Sequence, residues 1–198
     1  MIAVVDYRAG NLASVKKALD YLGTDAVVTR DPDLVAHADK IILPGVGHFS
    51  ATAILEQSGL RSAILQRIEQ GVPFLGICVG MQWMFESSAE APGIRGLGLF
   101  SGSCGRFPES VKSPHVGWNS LSCHSGSRLL RGIPSGSFFY FSHSYSGPVA
   151  NATVARCEYG GEFSAAVERD NLFGVQFHPE KSGPLGLKLL ENFCSLSC

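Results

Sequence analysis

Along its first half the chain alternates two hydrophobic rhythms. Short apolar runs near 2–6, 25–29, 39–43 and 73–77 have strand length and composition. Between them, Leu12, Val15, Ala18, Leu19 and Leu22 recur at helical spacing, with Asn11 as a candidate N-cap and Gly23 as a stop. Leu60 to Ile68 repeats the helical stripe, and Gly71 closes it. Strand–helix–strand alternation predicts an α/β fold, with a mostly parallel central sheet flanked by helices. Loops at the carboxyl ends of such strands are where ligands collect.

The rhythm changes beyond residue 96. Segments 97–107, 116–122, 137–145, 152–159 and 162–169 are rich in Phe, Tyr, Val and Thr and separated by Gly, Ser and Pro. They predict a mixed or antiparallel β extension, with the serine-rich stretch 120–127 as a surface loop. A final strand at 172–177 and a helix at 184–196 close the chain. No repeat or linker interrupts it, so residues 1–198 are expected to form a single domain.

Three strand ends carry candidate chemistry. Cys78 lies in Gly76-Ile77-Cys78-Val79-Gly80, after an apolar strand. This is the nucleophile-elbow pattern with a thiol in place of a hydroxyl. Small residues on either side let the turn crowd its own backbone. The opposing reading is a buried cysteine that merely closes a strand. Gly174-Val175-Gln176-Phe177-His178-Pro179-Glu180 offers a base in His178 and an orienting acid in Glu180. Pro179 disfavours the helical region at His178, so an extended chain is expected there, in which a spacing of two points His178 and Glu180 to the same side. Ile41-Ile42-Leu43 empties into Pro44-Gly45-Val46-Gly47. Amides of Gly45, Val46 and Gly47, with that of Val79, are candidate donors to an oxyanion. Gln82 follows Cys78 by one helical turn and so can face the same pocket. Asn11, Trp118 and Lys181 follow strand ends or adjoin the site, which makes them candidate partner contacts.

Composition narrows the class. Sixteen Lys and Arg against 17 Asp and Glu leave a formal charge of −1. With no basic tract, nucleic-acid binding is not expected. No apolar run approaches the roughly 20 residues of a membrane span. The six cysteines form no C-x-x-C pair, so no metal site is indicated, and without a secretory signal they are expected to be reduced and the protein cytoplasmic.

These motifs, in their order, resemble the class I (triad) glutamine amidotransferases. The segment Met1 to Asn11, PGVG at 44–47, GICVGMQ at 76–82, PHVGWN at 114–119, YFSHSY at 140–145 and HPEKS at 178–182 carry the resemblance and span nearly the whole chain. Valine at 79 and serine at 142 depart mildly from the family pattern. The resemblance implies a flavodoxin-like architecture and a Cys78–His178–Glu180 triad that hydrolyses glutamine without a cofactor. It places Gln82 near the forming oxyanion and Glu90 toward the substrate α-amino group. It also sets His143, Ser144 and Tyr145 at the α-carboxylate. From the residues alone, Glu90 reads as a solvated acid and 143–145 as the end of a core strand. A separate (β/α)₈-barrel cyclase subunit is implied as the heterodimer partner that receives ammonia. Another amidotransferase glutaminase of the class, a γ-glutamyl hydrolase and a non-enzymatic binding paralogue are the alternatives.

Overall fold

The computed structural model describes residues 1–197. The first half contains β1 (Ile2–Val5), α1 (Leu12–Tyr21), β2 (Ala26–Thr29), α2 (Pro32–Ala36), β3 (Lys40–Gly45), α3 (Ala53–Gln57), α4 (Leu60–Glu69), β4 (Phe74–Cys78) and α5 (Val79–Gln82). The second half contains β5 (Phe85–Ser88), β6 (Phe100–Arg106), β7 (His115–Ser120), β8 (Ser122–Cys123), β9 (Phe138–His143), β10 (Tyr145–Ser146), β11 (Thr153–Glu158), β12 (Glu162–Arg169), β13 (Leu172–Val175) and α6 (Gly183–Cys194).

The main sheet runs β2-β1-β3-β4-β13-β12-β11-β8. Its first five strands are parallel and its last three antiparallel. The parallel part has the flavodoxin-like order, with β1 and β3 meeting at the topological switch point. Helix α1 packs on α6, while α2 and α3 pack on α4, giving a helical layer for each face. Smaller sheets, β10-β6-β5 and β7-β9, form the β extension. One continuous buried cluster joins these layers, including Val15, Ala18 and Leu19 of the first predicted stripe. No helix among the described residues is long and apolar enough to cross a membrane.

Most predicted elements are present, and the differences have local causes. The stretch 120–127 is a loop only in part: Ser122 and Cys123 pair with Arg156 and Ala155 of β11. A polar edge strand shows no hydrophobic alternation, so the sequence hides it. The helix after Cys78 lasts a single turn. It ends because Leu97 N–H takes the Trp83 carbonyl, and Leu99 and Phe100 take that of Met84. Strand β5 follows where polar Glu86-Ser87-Ser88 suggested none. Asn11 precedes α1 but makes no side-chain cap. Its Oδ1 accepts from Ser14 Oγ (2.8 Å), and its Nδ2 reaches across the fold.

Candidate active site

Cys78 ends β4 with φ +55° and ψ −108°, a conformation L-residues seldom adopt. The turn is tight enough that a Cβ on Gly76 would lie 2.5 Å from the Gly80 carbonyl oxygen. A Cβ on Gly80 would collide with the carbonyl oxygen of Leu43. The two glycines therefore let the chain reverse against itself and against β3. Gly45 pairs in register with Cys78 across the parallel ladder. The Cys78 side chain is nearly buried, with Sγ 4.0 Å from the Ser142 carbonyl.

His178 follows β13, the strand beside β4. Its backbone is extended (φ −102°, ψ 95°), as expected before proline. The chain then turns instead of continuing extended: Pro179–Lys181 is a 3₁₀ turn. This turn, not strand alternation, brings Glu180 back, so that Oε1 lies 2.9 Å from His178 Nδ1. Both side chains are 1% exposed. His178 N–H donates to the Tyr140 carbonyl, and Ser182 Oγ donates to the His178 carbonyl, so the segment is held at both ends. Asn11 Nδ2 donates to Glu180 Oε1 at 3.3 Å.

With Nδ1 engaged, Nε2 is the ring atom left for Cys78. It is buried and completes no hydrogen bond of proper geometry, yet the thiol still acts on the ring. Burial alone would push the His178 pKa down. The nearby Cys78 sulfur, together with the hydrogen bond and charge of Glu180, outweighs it and holds the ring up at about 10. The imidazole thus keeps a proton through neutral pH, available for a leaving group. A looser contact before ligand binding is common at such sites.

Val46 and Gly47 are exposed beside this pair, and Gly47 sits at φ +116°. Val79 opens α5, where the first amides have no partner within the helix. Glu90 is not simply a solvated acid. Half-buried, it accepts from the Phe49 amide at 2.7 Å and so ties down the far end of the 45–47 loop. Gln82 is buried and turns its Nε2 to the Tyr145 carbonyl at 2.8 Å. The His143 ring lies in an aromatic cluster with Phe107, Phe141 and Phe163. Burial drives its pKa down to about 3, and that of its neighbour His115 to about 4. The ring is committed to that cluster, the Ser144 carbonyl accepts from Phe107 N–H and the Tyr145 carbonyl from Gln82, which leaves the half-buried Ser144 and Tyr145 side chains for a ligand.

Two residues here escaped the sequence reading. Gln176 Nε2 points at Cys78 Sγ from 3.6 Å. The signal was a lone amide inside an apolar strand, since a buried polar group requires partners. Tyr7 is fully buried with its hydroxyl unpaired against Gly45. Burial, then the charge of Cys78, pushes that phenol up.

The candidate contact residues gather on the same side. Trp118 is 55% exposed on β7, opposite Tyr140 of β9 in register, with the rings edge to face at 6.2 Å. Lys181 is exposed and places Nζ 5.7 Å over that same Tyr140 ring, a cation–π arrangement. Asn11, through Glu180, joins the set. Cys78, Cys104, Cys123, Cys157 and Cys194 are free, and Cys198 lies outside the described residues.

The chain is similar to known proteins over nearly all of the sequence. The chain is similar to "Imidazole glycerol phosphate synthase subunit HisH" of Methanothermobacter thermautotrophicus. The two are 48% identical over 198 residues, covering 99% of this chain and 98% of the relative. The subunit of the same name from Moorella thermoacetica is 49% identical, covering 98% and 94%. Among solved structures, one described as a glutamine amidotransferase superposes with a TM-score of 0.76 at 20% identity, covering 98% and 99%. PurLQS from Thermotoga maritima does so at 0.74 and 23%, covering 97% and 96%. Both speak for the fold. The family model for class I glutamine amidotransferases matches residues 3–196, and the chain belongs to that family.

Proposed function

We propose that this chain is the glutaminase subunit of an imidazole glycerol phosphate synthase, acting as one amidotransferase domain over its whole length. The observation that carries this reading is the convergence of Cys78 with the buried His178–Glu180 pair, 2.9 Å apart, at adjacent strand ends. In this reading Cys78 Sγ attacks the side-chain carbonyl carbon of glutamine. Negative charge on the oxygen meets the amides of Val79 and of the Gly45–Gly47 loop. His178 gives its proton to the departing nitrogen, and ammonia leaves a γ-glutamyl thioester. His178 then takes a proton from water, which cleaves the thioester to glutamate. Glu180 holds the ring by Nδ1 and balances its charge throughout.

Ammonia is small and easily lost to water as ammonium, so it needs a receiver. The curated relatives are named as subunits, which supports a partner protein. The proposed partner is a cytoplasmic cyclase subunit with a (β/α)₈ barrel. It combines ammonia with a phosphoribulosyl-formimino aminoimidazole carboxamide ribonucleotide. The products are imidazole glycerol phosphate, for histidine biosynthesis, and an aminoimidazole carboxamide ribonucleotide. Asn11, Trp118 and Lys181 are the proposed contacts. The test is glutamate release by the chain alone and with the cyclase subunit and its ribonucleotide. Release is expected to rise several-fold in the complex. Lys181→Ala should weaken that stimulation while leaving the melting temperature of the free chain nearly unchanged. Equal rates with and without the cyclase would reject the reading, and full stimulation of Lys181→Ala would take this lysine out of the contact.

A low rate in the free chain has a local explanation in this reading. Gly47 at φ +116° gives the 45–47 loop freedom to turn its peptide groups. Alanine has open space there but strains the backbone by about 1–2 kcal/mol. Gly47→Ala is expected to change the ratio of complexed to free glutaminase rates more than it changes thermal stability. An unaltered ratio would count against a mobile oxyanion loop.

A further inference from the structure

We propose that Gln176 is a catalytic residue whose carboxamide donates a hydrogen bond to the sulfur of Cys78, aimed there by Gln82 and the Tyr145 carbonyl. The inference rests on the reading of Cys78 as the nucleophile.

The direction of every bond follows from chemistry. A carbonyl oxygen only accepts, so the Gln82 atom 2.8 Å from the Tyr145 oxygen must be its NH₂. The second hydrogen of that NH₂ goes to Gln176, 3.2 Å away, and the atom receiving it must be Oε1. The remaining end of Gln176 is then its NH₂, and it faces Cys78 Sγ at 3.6 Å. Gln176 is fully buried and Gln82 nearly so. Neither amide can flip without setting two acceptors or two donors against each other.

The Tyr145 carbonyl is itself fixed by a second chain arriving from the far side. His143 Nδ1 lies 2.9 Å from it and must carry the hydrogen. In the neutral ring His143 Nε2 is then an acceptor, so His115 Nδ1, 3.2 Å away, donates to it. His115 Nε2 in turn accepts from Asn119 Nδ2 at 3.4 Å. The orientation of Asn119 is set independently, because its Nδ2 also donates to the Glu158 carbonyl and its Oδ1 accepts from Ser120 N–H. The two chains meet at the Tyr145 carbonyl, which accepts from both, and the Gln82–Gln176 arm terminates with a donor on the nucleophile. A donated hydrogen bond stabilises a sulfur anion more than a thiol, which is what attack on an amide requires.

The experiment reads the sulfur rather than turnover. In the full-length chain, the rate at which iodoacetamide alkylates Cys78 is followed against pH by mass spectrometry of the peptide that contains it. Gln176→Leu removes the donor, and the midpoint is expected to rise by about 1 pH unit. Gln176→Glu keeps the acceptor that Gln82 needs but turns an oxygen toward the sulfur, so its midpoint should rise at least as far. A merely structural glutamine would lower the melting temperature of both variants and leave the midpoint where it is, which would overturn the proposal. Should neither variant fold, the unsubstituted chain decides. The Gln176 side-chain amide resonance should move as Cys78 ionises, and that movement should vanish in Cys78→Ala. A resonance indifferent to Cys78 overturns the proposal equally. If instead the midpoint shifts but the native complex releases no glutamate, it is the glutaminase reading that fails.

Discussion

Cys78→Ala is expected to abolish glutamine-dependent synthesis by the assembled enzyme, lowering the rate by ~10⁴-fold or more. Synthesis from added ammonium salts should persist at close to the native rate, because in the proposed reading the partner subunit takes nothing from this chain but ammonia. The split between the two nitrogen sources is the discriminating readout. A general folding defect or loss of the partner contact would depress both. Cys78→Ser should resemble alanine: a hydroxyl gives up its proton far less readily than a thiol, and one imidazole does not make up the difference. Glutamine hydrolysis at the native rate in Cys78→Ala would remove the nucleophile from the mechanism.

The second large effect falls on stability. Gly80→Ala drives a methyl group into the Leu43 carbonyl oxygen, which belongs to the central strand β3 and has nowhere to retreat. Destabilisation of about 3 kcal/mol or more is expected. For a chain of this size that is a melting point lower by roughly 6–12 °C. Gly105→Ala is the control, since Gly105 has open space around its missing Cβ and no positive φ. It should stay within about 0.5 kcal/mol of the native chain. Equal melting points for the two variants would show that the elbow yields where the geometry says it cannot.

Much of this was legible in the sequence. The parallel strands announced themselves as short apolar runs, and β12 occupies the predicted span 162–169. The turn at Cys78 could be read because only glycine tolerates such crowding. What stayed hidden was whatever depends on partners far along the chain. Asn11 looked like a helix cap, yet its amide is drawn to Glu180, 169 residues away. Glu180 looked aligned with His178 by strand alternation, while a 3₁₀ turn does the aligning. Gln176 was passed over inside an apolar strand because no nearby residue explains it. Its partners, Gln82 and Cys78, belong to another strand–helix unit altogether.

The place of β13 has a consequence for synthesis of the protein on the ribosome. Among the described residues this strand comes last in sequence, yet it lies between β4 and β12 in the interior of the sheet. Until residues 172–175 have emerged, β4 and β12 each present an open edge, and the thiol at the end of β4 has neither its imidazole nor its carboxylate. The nascent chain is therefore chemically silent until His178 and Glu180 have followed β13. Completing the sheet and bringing His178 and Glu180 up to the Cys78 thiol are the same event. A prematurely terminated product would carry a sticky half-sheet rather than an unregulated glutaminase.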